Sequence, residues 1–472
     1  MLFRRFYDEP LAQASYLIGC QATGEALVID ANRDLVPYLA VAVQEGMRIV
    51  AVTETHIHAD YVSGSRALAV ATGARLCLSD DGPEEWRYRF KEDRGFEPLH
   101  HGDRITIGKI IVEAVHTPGH TPEHMSFLVT DGAASKDPMG IVSGDFVFVG
   151  DVGRPDLLEK AARVEGASQG SARDLFRSLQ WFKTLPDHLQ VWPGHGAGSA
   201  CGKGIGSVPS STVGYEKRTN WALGIDEESA FVKQVLFGQP EPPAYFGIMK
   251  QVNRAGPRVL DGLPMPPVLQ SGRLPELLRA GATIVDLRLG TKFAEAHVPG
   301  TITIPFNRGF ATYAGSVLPY DQDLYLLADS EESLAGAVRS LLMIGLDRIL
   351  GSFGAESIAT ESSAGGTTHQ LPMVSAEEAC RRVDQGAVFV DVRGESEWRA
   401  GHVEAAKLIP LPELRARMEE IPRDRSVLVH CQTGARSAIA VSLLRANGWS
   451  DVTDLTGGFA AWSAAGLPAR TG

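Results

Sequence analysis

Hydrophobic and polar residues follow two different rhythms along this chain. In the first half, short apolar runs at 15–18, 26–29, 49–53, 104–107, 110–115, 125–129 and 140–143 have strand character. The first two flank Thr23-Gly24 and predict a hairpin, and 35–45 carries a helical pattern. Many short strands with few helices predict a layered α/β sandwich. In the second half, strand-like runs precede helical ones, 324–327 before 334–344 and 427–429 before 438–444. That alternation predicts a mostly parallel α/β sheet.

Two breaks divide the pattern. Residues 238–267 carry Pro240, Pro242, Pro243, Pro257, Pro264, Pro266 and Pro267, which suits an extended connector. Residues 354–372 are rich in Ser, Thr, Gly and Ala with almost no large apolar residue, and read as a linker. The expected domains are 1–250, 251–358 and 371–472. The last two repeat each other. Residues 281–288 match 386–393 at an offset of 105, and the same offset pairs Phe293 with Trp398, His297 with His402 and Ile304-Pro305 with Ile409-Pro410. One register held through so many positions identifies a tandem duplication.

Composition narrows the function. The 472 residues agree with about three domains. With 45 Lys+Arg against 57 Asp+Glu the net charge is −12, which disfavours nucleic acid as a partner. No apolar run approaches the roughly 20 residues of a membrane span, so no membrane partner is expected. Residues 1–9 turn acidic before a signal-peptide core forms. Cysteines 20, 77, 201, 380 and 431 are few, odd in number and scattered, so a disulfide framework is not expected and a cytoplasmic location is.

Candidate chemistry begins where the run 49–53 ends, at Thr55-His56-Ile57-His58-Ala59-Asp60. Imidazoles and a carboxylate at i, i+2 and i+4 suit zinc or iron. Three later segments add metal-type ligands: Thr117-Pro118-Gly119-His120, Ser143-Gly144-Asp145 and Pro193-Gly194-His195. Ser199-Ala200-Cys201-Gly202-Lys203 follows, and a cysteine beside Lys203 is a candidate persulfide relay with a lowered pKa, or a small buried filler. Arg154 and Asp156 are expected to brace the metal loop by a salt bridge.

These motifs resemble the metallo-β-lactamase-fold superfamily over residues 1–250, which implies an αββα sandwich. The usual His-x-His-x-Asp-His motif ends here in Tyr61, removing a ligand from the second metal position. Among members, the resemblance is greatest to the mononuclear iron persulfide dioxygenases. It implies one Fe(II) per chain, with zinc as a possible occupant on purification. The implied ligands are His56, His120 and Asp145. His58, Asp60 and His195 would lie behind them or hold metal-bound water.

In the last domain, His430-Cys431-Gln432-Thr433-Gly434-Ala435-Arg436-Ser437 places a cysteine between a strand and a helical run. Backbone N–H groups, the helix dipole and Arg436 favour the thiolate, a nucleophile for sulfane sulfur. The segment resembles a rhodanese domain, which implies Cys431 as sulfur carrier, Arg436 as its cationic partner, and Gln432, Thr433, Gly434, Ala435 and Ser437 as the surrounding loop. Cys-x4-Arg is the compact sulfur-transfer spacing. The middle copy has Asp329 near the matching position and reads as a degenerate rhodanese.

The expectation is therefore a metallo-β-lactamase sandwich followed by two rhodanese-like α/β domains. Its substrates would be a small thiol persulfide and O₂, with sulfite and thiosulfate as sulfur-transfer partners, in a homo-oligomer. The alternatives are a glyoxalase II-like thioester hydrolase fused to a sulfurtransferase, and a sulfide- or redox-sensing interaction protein.

Overall fold

Every residue of the strand Gln13–Cys20 is buried, because its two faces serve two cores. Ala14, Tyr16, Ile18 and Cys20 join Leu27, Ile29, Val112, Phe127 and Val142, whereas Leu17 joins Ala26, Val28, Tyr38 and Leu68. A period of two with both faces apolar is what a strand needs when a second sheet covers one side and helices the other. The computed structural model describes residues 1–160, 166–260, 262–363 and 367–471.

Residues 1–263 with 343–345 form one compact unit. Its first sheet runs Leu2–Asp8, Gln13–Cys20, Glu25–Ile29, Arg48–Thr53, Arg75–Ser79 and Phe96–Leu99, antiparallel up to Glu25–Ile29 and parallel beyond. The second sheet is ordered Ser211–Thr212, Gln190–Pro193, Gly140–Gly144, Met125–Asp131, Ile110–His116 and Arg104–Ile107. Helices Val36–Gln44 and Ser65–Thr72 cover the outer face of the first sheet. Ala167–Thr184 and Glu228–Leu236 cover the second. This is the expected αββα sandwich, and the hairpin around Thr23-Gly24 is present.

The proline-rich segment is not simply extended. It contains the helix Phe246–Ala255, which buries Phe246, Met249, Lys250 and Asn253. Spacings of three, four and seven put those four on one helical face, a pattern hidden by the prolines on both sides.

The second compact unit comprises 264–342 and 346–472 and contains two parallel sheets. The first is ordered Ile302–Thr303, Thr283–Asp286, Leu324–Ala328 and Ile349–Gly354. The second is ordered Ala406–Leu408, Val388–Asp391, Val427–His430, Val452–Leu455 and Met373–Val374. Apart from the extra edge strand the order is the same. Side-chain detail repeats too. Asp286–Arg288 and Asp391–Arg393 are both ion pairs at 2.7 Å, and Phe293 stacks on His297 as Trp398 does on His402.

The two copies pack within this unit. Thr303 N donates to Ser442 Oγ at 3.1 Å, and Arg415 Nε donates to the Val317 carbonyl at 2.7 Å. The stretch read as a linker is partly helical: Glu356–Ser363 forms a helix, anchored by Ile358 in the core of the first copy. Residues 364–366 of that stretch lie outside the described residues.

Candidate metal centre and thiol loop

The loop after Arg48–Thr53 is fixed by two buried carboxylates, Asp30 and Glu123. Asp30, at φ +58°, closes the neighbouring strand and accepts from Thr55 N at 2.6 Å and Thr55 Oγ1 at 3.0 Å. Glu123 accepts from Ile57 N at 3.0 Å. The Thr55 hydroxyl spends its one proton on Asp30, so its contact with His56 Nδ1 at 3.0 Å makes that nitrogen the donor. Nε2 of His56 is thereby left with its lone pair, 3.9 Å from Asp145 Oδ2.

His120 Nε2 lies 3.5 Å from the same oxygen. Across the site, His195 Nδ1 donates to the Ala12 carbonyl at 3.0 Å, and its Nε2 stands 3.4 Å from both Asp145 Oδ1 and Asp60 Oδ2. The ligand-type atoms form two adjoining groups, His56–His120–Asp145 and Asp60–His195–Cys201, each gathered within 4.8 Å. Both oxygens of Asp60 and both of Asp145 are buried without a hydrogen-bond partner among the described residues. Lone pairs facing lone pairs, out of water, call for a cation between them. The donor set therefore fits a metal.

Electrostatics separate the two histidines of the first motif. Burial, with His58 and His120 beside it, holds His56 well below its ordinary range; burial and His124 do the same for His120. Both are neutral, as a ligand must be. Burial also pushes His58 down, but Asp30 at 3.1 Å from its Nε2 outweighs this and lifts it to about 9. His58 points at Asp30 and anchors the loop. Asp145 is raised to about 6, chiefly by burial, against the opposing pull of His195. Its backbone N–H donates to Nε2 of the buried His124 at 3.1 Å.

Tyr61 turns away from both groups. Its hydroxyl donates to the Asp30 carbonyl and accepts from Gln13 Nε2, each at 3.3 Å. Arg154 pairs with Asp156 at 2.7 Å and donates to the Ala200 carbonyl at 3.0 Å, holding the turn that carries Cys201. The expected lowering of the Cys201 pKa is not found. Burial and the carboxylates of Asp145 and Asp60 push this thiol well above its usual value. Lys203 cannot compensate, because its ammonium caps the Gln234 and Phe237 carbonyls and lies over the Trp221 ring.

Two side chains of the helix Phe246–Ala255 went unread in the sequence. Asn253 donates to the carbonyls of His58 at 2.8 Å and Tyr61 at 2.7 Å, and accepts from Ser63 N at 2.9 Å. Lys250 is 6% exposed, with its ammonium 3.9 Å over the Trp86 ring, and burial lowers it to about 8 despite Glu123.

In the thiol loop, Cys431 follows Val427–His430 and precedes the helix Ala435–Ala446. Its sulfur accepts from Gly434 N at 3.1 Å, with Ser437 Oγ at 3.6 Å. Among the described residues a single backbone N–H therefore reaches the sulfur, where several were expected. Gln432 accepts from Arg393 Nη1 at 3.1 Å, while Thr433 and Ala435 are exposed. Arg436 does not face the sulfur as a free cation: Glu397 takes both its terminal nitrogens, at 2.6 and 2.7 Å. Gly458, at φ +60°, lets the next turn approach, since a Cβ there would lie 2.5 Å from the Cys431 carbonyl. In the other copy, Asp329 follows the matching strand and pairs with Lys292 at 2.8 Å.

Residues 8–195 match the metallo-beta-lactamase superfamily and 375–465 the rhodanese-like domain. A crystallised metallo-beta-lactamase from Staphylococcus aureus is 40% identical, aligning over 75% of this chain and 98% of its own, with a TM-score of 0.66. The chain belongs to the metallo-beta-lactamase superfamily, in a form fused to a rhodanese-like domain. Persulfide dioxygenase ETHE1 of Homo sapiens is 26% identical over 198 residues, 41% of this chain and 68% of that protein. A hydroxyacylglutathione hydrolase of Polaromonas is 33% identical over 182 residues, 38% of this chain and 61% of that protein. Among the described residues, no helix is long and apolar enough to cross a membrane.

Proposed function

We propose that the chain oxidises a small thiol persulfide to sulfite and thiol at the first site and transfers sulfane sulfur at Cys431. The observation that carries this reading is the asymmetry of the metal centre. His56, His120 and Asp145 form one complete group, while Tyr61, where a further histidine ligand belongs, is bound to Asp30 and Gln13. The likeness to a persulfide dioxygenase supports it.

His56, His120 and Asp145 would hold one Fe(II), and iron so bound supplies redox chemistry with dioxygen. Asp60 and His195 border the remaining space and can hold a water or a substrate proton; His58 fixes the loop. The overall change balances as RSSH + O₂ + H₂O → RSH + SO₃²⁻ + 2H⁺. At the second site the Cys431 thiolate attacks the outer sulfur of RSSH, forming Cys431–S–SH and releasing RS⁻. Sulfite then takes that sulfur as thiosulfate and the Cys431 thiolate returns. Cys201, beside Asp60 and His195, is the candidate relay at the first site, and its raised pKa means that it enters as the protonated thiol. The working domains are 1–250, 251–358 and 371–472, with the helix Phe246–Ala255 kept whole in the first.

Metal analysis with O₂ uptake on glutathione persulfide tests the reading: about one iron per chain and stoichiometric sulfite are expected. One observation favours a second reading, a two-metal thioester hydrolase: Asp60, His195 and Cys201 form a second donor group. Two zinc ions per chain and thioester hydrolysis without O₂ uptake would establish that alternative.

A further inference from the structure

Within the second compact unit the two copies enclose a cavity of about 260 Å³. The first copy lines it with His297 and Thr301, and the chain leaving that copy adds His369. The second copy lines it with Ser442, Arg445 and Trp449, from the end of the helix Ala435–Ala446 and the turn after it. The Cys431 loop lies at the other end of that helix, about 18 Å away along its 12 residues. Among the described residues no carboxylate lines the cavity, and Arg445 has no acidic partner; its Nη1 donates to the Ser450 carbonyl at 3.2 Å. The helix end offers no opposing negative pole, because the carbonyls of Leu443, Leu444 and Arg445 accept from Asn447, Gly448 and Trp449.

His297 supplies the complementary function. It is 4% exposed, its ring stacks on Phe293 at 4.0 Å, and its Nδ1 donates to the Phe293 carbonyl at 3.0 Å. A carbonyl only accepts, so Nδ1 carries the proton, and Nε2 has no partner among the described residues. Burial, aided by Arg445 and His369 against the Phe293 carbonyl, lowers this histidine to about 4, so Nε2 keeps its lone pair. His402 repeats the stacking and the Nδ1 bond on Trp398, so those contacts belong to the fold. What His297 adds is an unused acceptor in the same cavity as an unpaired guanidinium. The hydroxyls beside them are spent: Ser442 donates to the Ile439 carbonyl at 2.8 Å, and Thr301 to the Val298 carbonyl at 2.7 Å.

We propose that this cavity binds a small oxyanion that still carries a proton, hydrogen phosphate or hydrogensulfite, with Arg445 donating to its charged oxygens and its own O–H donating to His297 Nε2. An oxyanion without a proton, such as sulfate or thiosulfate, sets a lone pair against the lone pair of Nε2 and is rejected. No covalent bond changes. Because both copies meet the ligand, binding ties the degenerate copy to the one that carries Cys431.

Calorimetric titration of the full chain at pH 7 and constant ionic strength, with phosphate and with sulfate, tests the proposal. Phosphate should bind at least about tenfold more tightly than sulfate. Arg445→Gln should weaken phosphate binding by about tenfold or more, and Arg445→Lys should recover only part of it, since lysine keeps the charge and loses the fork. His297→Gln replaces the acceptor with a side chain that can donate, and should remove the preference for phosphate. If that variant folds poorly, the two Arg445 variants still decide. Equal wild-type affinities for phosphate and sulfate, or phosphate binding untouched in Arg445→Gln, would overturn the proposal. Sulfite titrated in the same way distinguishes the two sources of such an anion, free phosphate and the sulfite of the proposed oxidation: the tighter binder is the occupant, and binding of neither overturns the site. No activity is read, so the result stands apart from whether the chain oxidises persulfides or transfers sulfur.

Discussion

Glu397 and Arg436 are joined by two charge-assisted hydrogen bonds of 2.6 and 2.7 Å, so the cation expected to greet an anionic sulfur donor is already occupied. The duplicated copy holds the opposite polarity at the matching place. Lys292, 105 residues before Glu397, pairs with Asp329 at 2.8 Å; the strand register sets Ala328 at the place of Cys431, with Asp329 directly after it. Lys292 in turn holds the Asp329 carboxyl below its usual range. The first copy therefore has an alanine in place of the thiol and an ion pair beside it, whereas the second keeps a thiol beside a neutralised arginine.

Releasing that arginine should change donor preference. In Glu397→Gln, Arg436 loses its ionic partner and becomes available to a dianion. The expected result is a KM for thiosulfate lowered by about tenfold, equivalent to about 1.4 kcal/mol, with the KM for a neutral persulfide donor little changed. Steady-state kinetics with the two donors checks this. Equal changes for both donors would mean that Glu397 shapes the loop without selecting charge.

At the metal centre, losing a ligand and losing its support should differ in degree. Asp145→Asn weakens a donor of the first group that also lies 3.4 Å from His195 of the second, and metal content after dialysis should fall to near zero. Asp30→Asn leaves every proposed ligand in place but weakens the acceptor for Thr55 and His58, so metal affinity should fall by roughly 10–100-fold. Competition with a chelator, read by elemental analysis, separates the two. Equal loss in both variants would make Asp30 as important as a direct ligand.

The architecture was legible because it is written in periodicities: two-faced strands in the first half, a repeat of 105 residues in the second. Ligand-type residues could be found because they sit at strand ends within short motifs. What escaped was long-range. Asp30 is an ordinary acid at the end of a strand, and only the fold sets its carboxylate against Thr55 and His58. Lys250 and Asn253 lay inside a segment whose prolines suggested no helix. Lys203 looked able to activate Cys201 by proximity in sequence, yet its ammonium turns to two carbonyls while two carboxylates face the sulfur. Sequence adjacency does not say which way a long side chain points.

The close approach at Gly458 gives a stability prediction. Alanine there must adopt φ near +60° and bring its Cβ to 2.5 Å from the Cys431 carbonyl and 2.8 Å from the Gln432 carbonyl carbon. The left-handed strain alone costs about 1–3 kcal/mol, and the contact adds to it by displacing the loop. Gly458→Ala should lower the melting temperature and slow Cys431 alkylation together. Alanine at Gly466, also at positive φ but with nothing within 4 Å, should cost only the strain and leave the thiol unaffected.

Asp454 should make the second compact unit less stable as pH rises through neutrality. An unfolded aspartate titrates near 3.9, whereas burial holds the folded one at about 7. Between those values the folded state binds a proton that the unfolded state has released, so stability falls with rising pH and levels off above the folded value. A separation of about three pH units corresponds to as much as about 4 kcal/mol. Asp454→Asn has no such proton to lose. Calorimetry of the full chain from pH 5 to 8.5 should show the transition that contains Cys431 falling in the wild type and nearly flat in the variant, with the variant the more stable at the alkaline end. Parallel curves would place the Asp454 titration outside this range and leave the carboxyl ionised throughout.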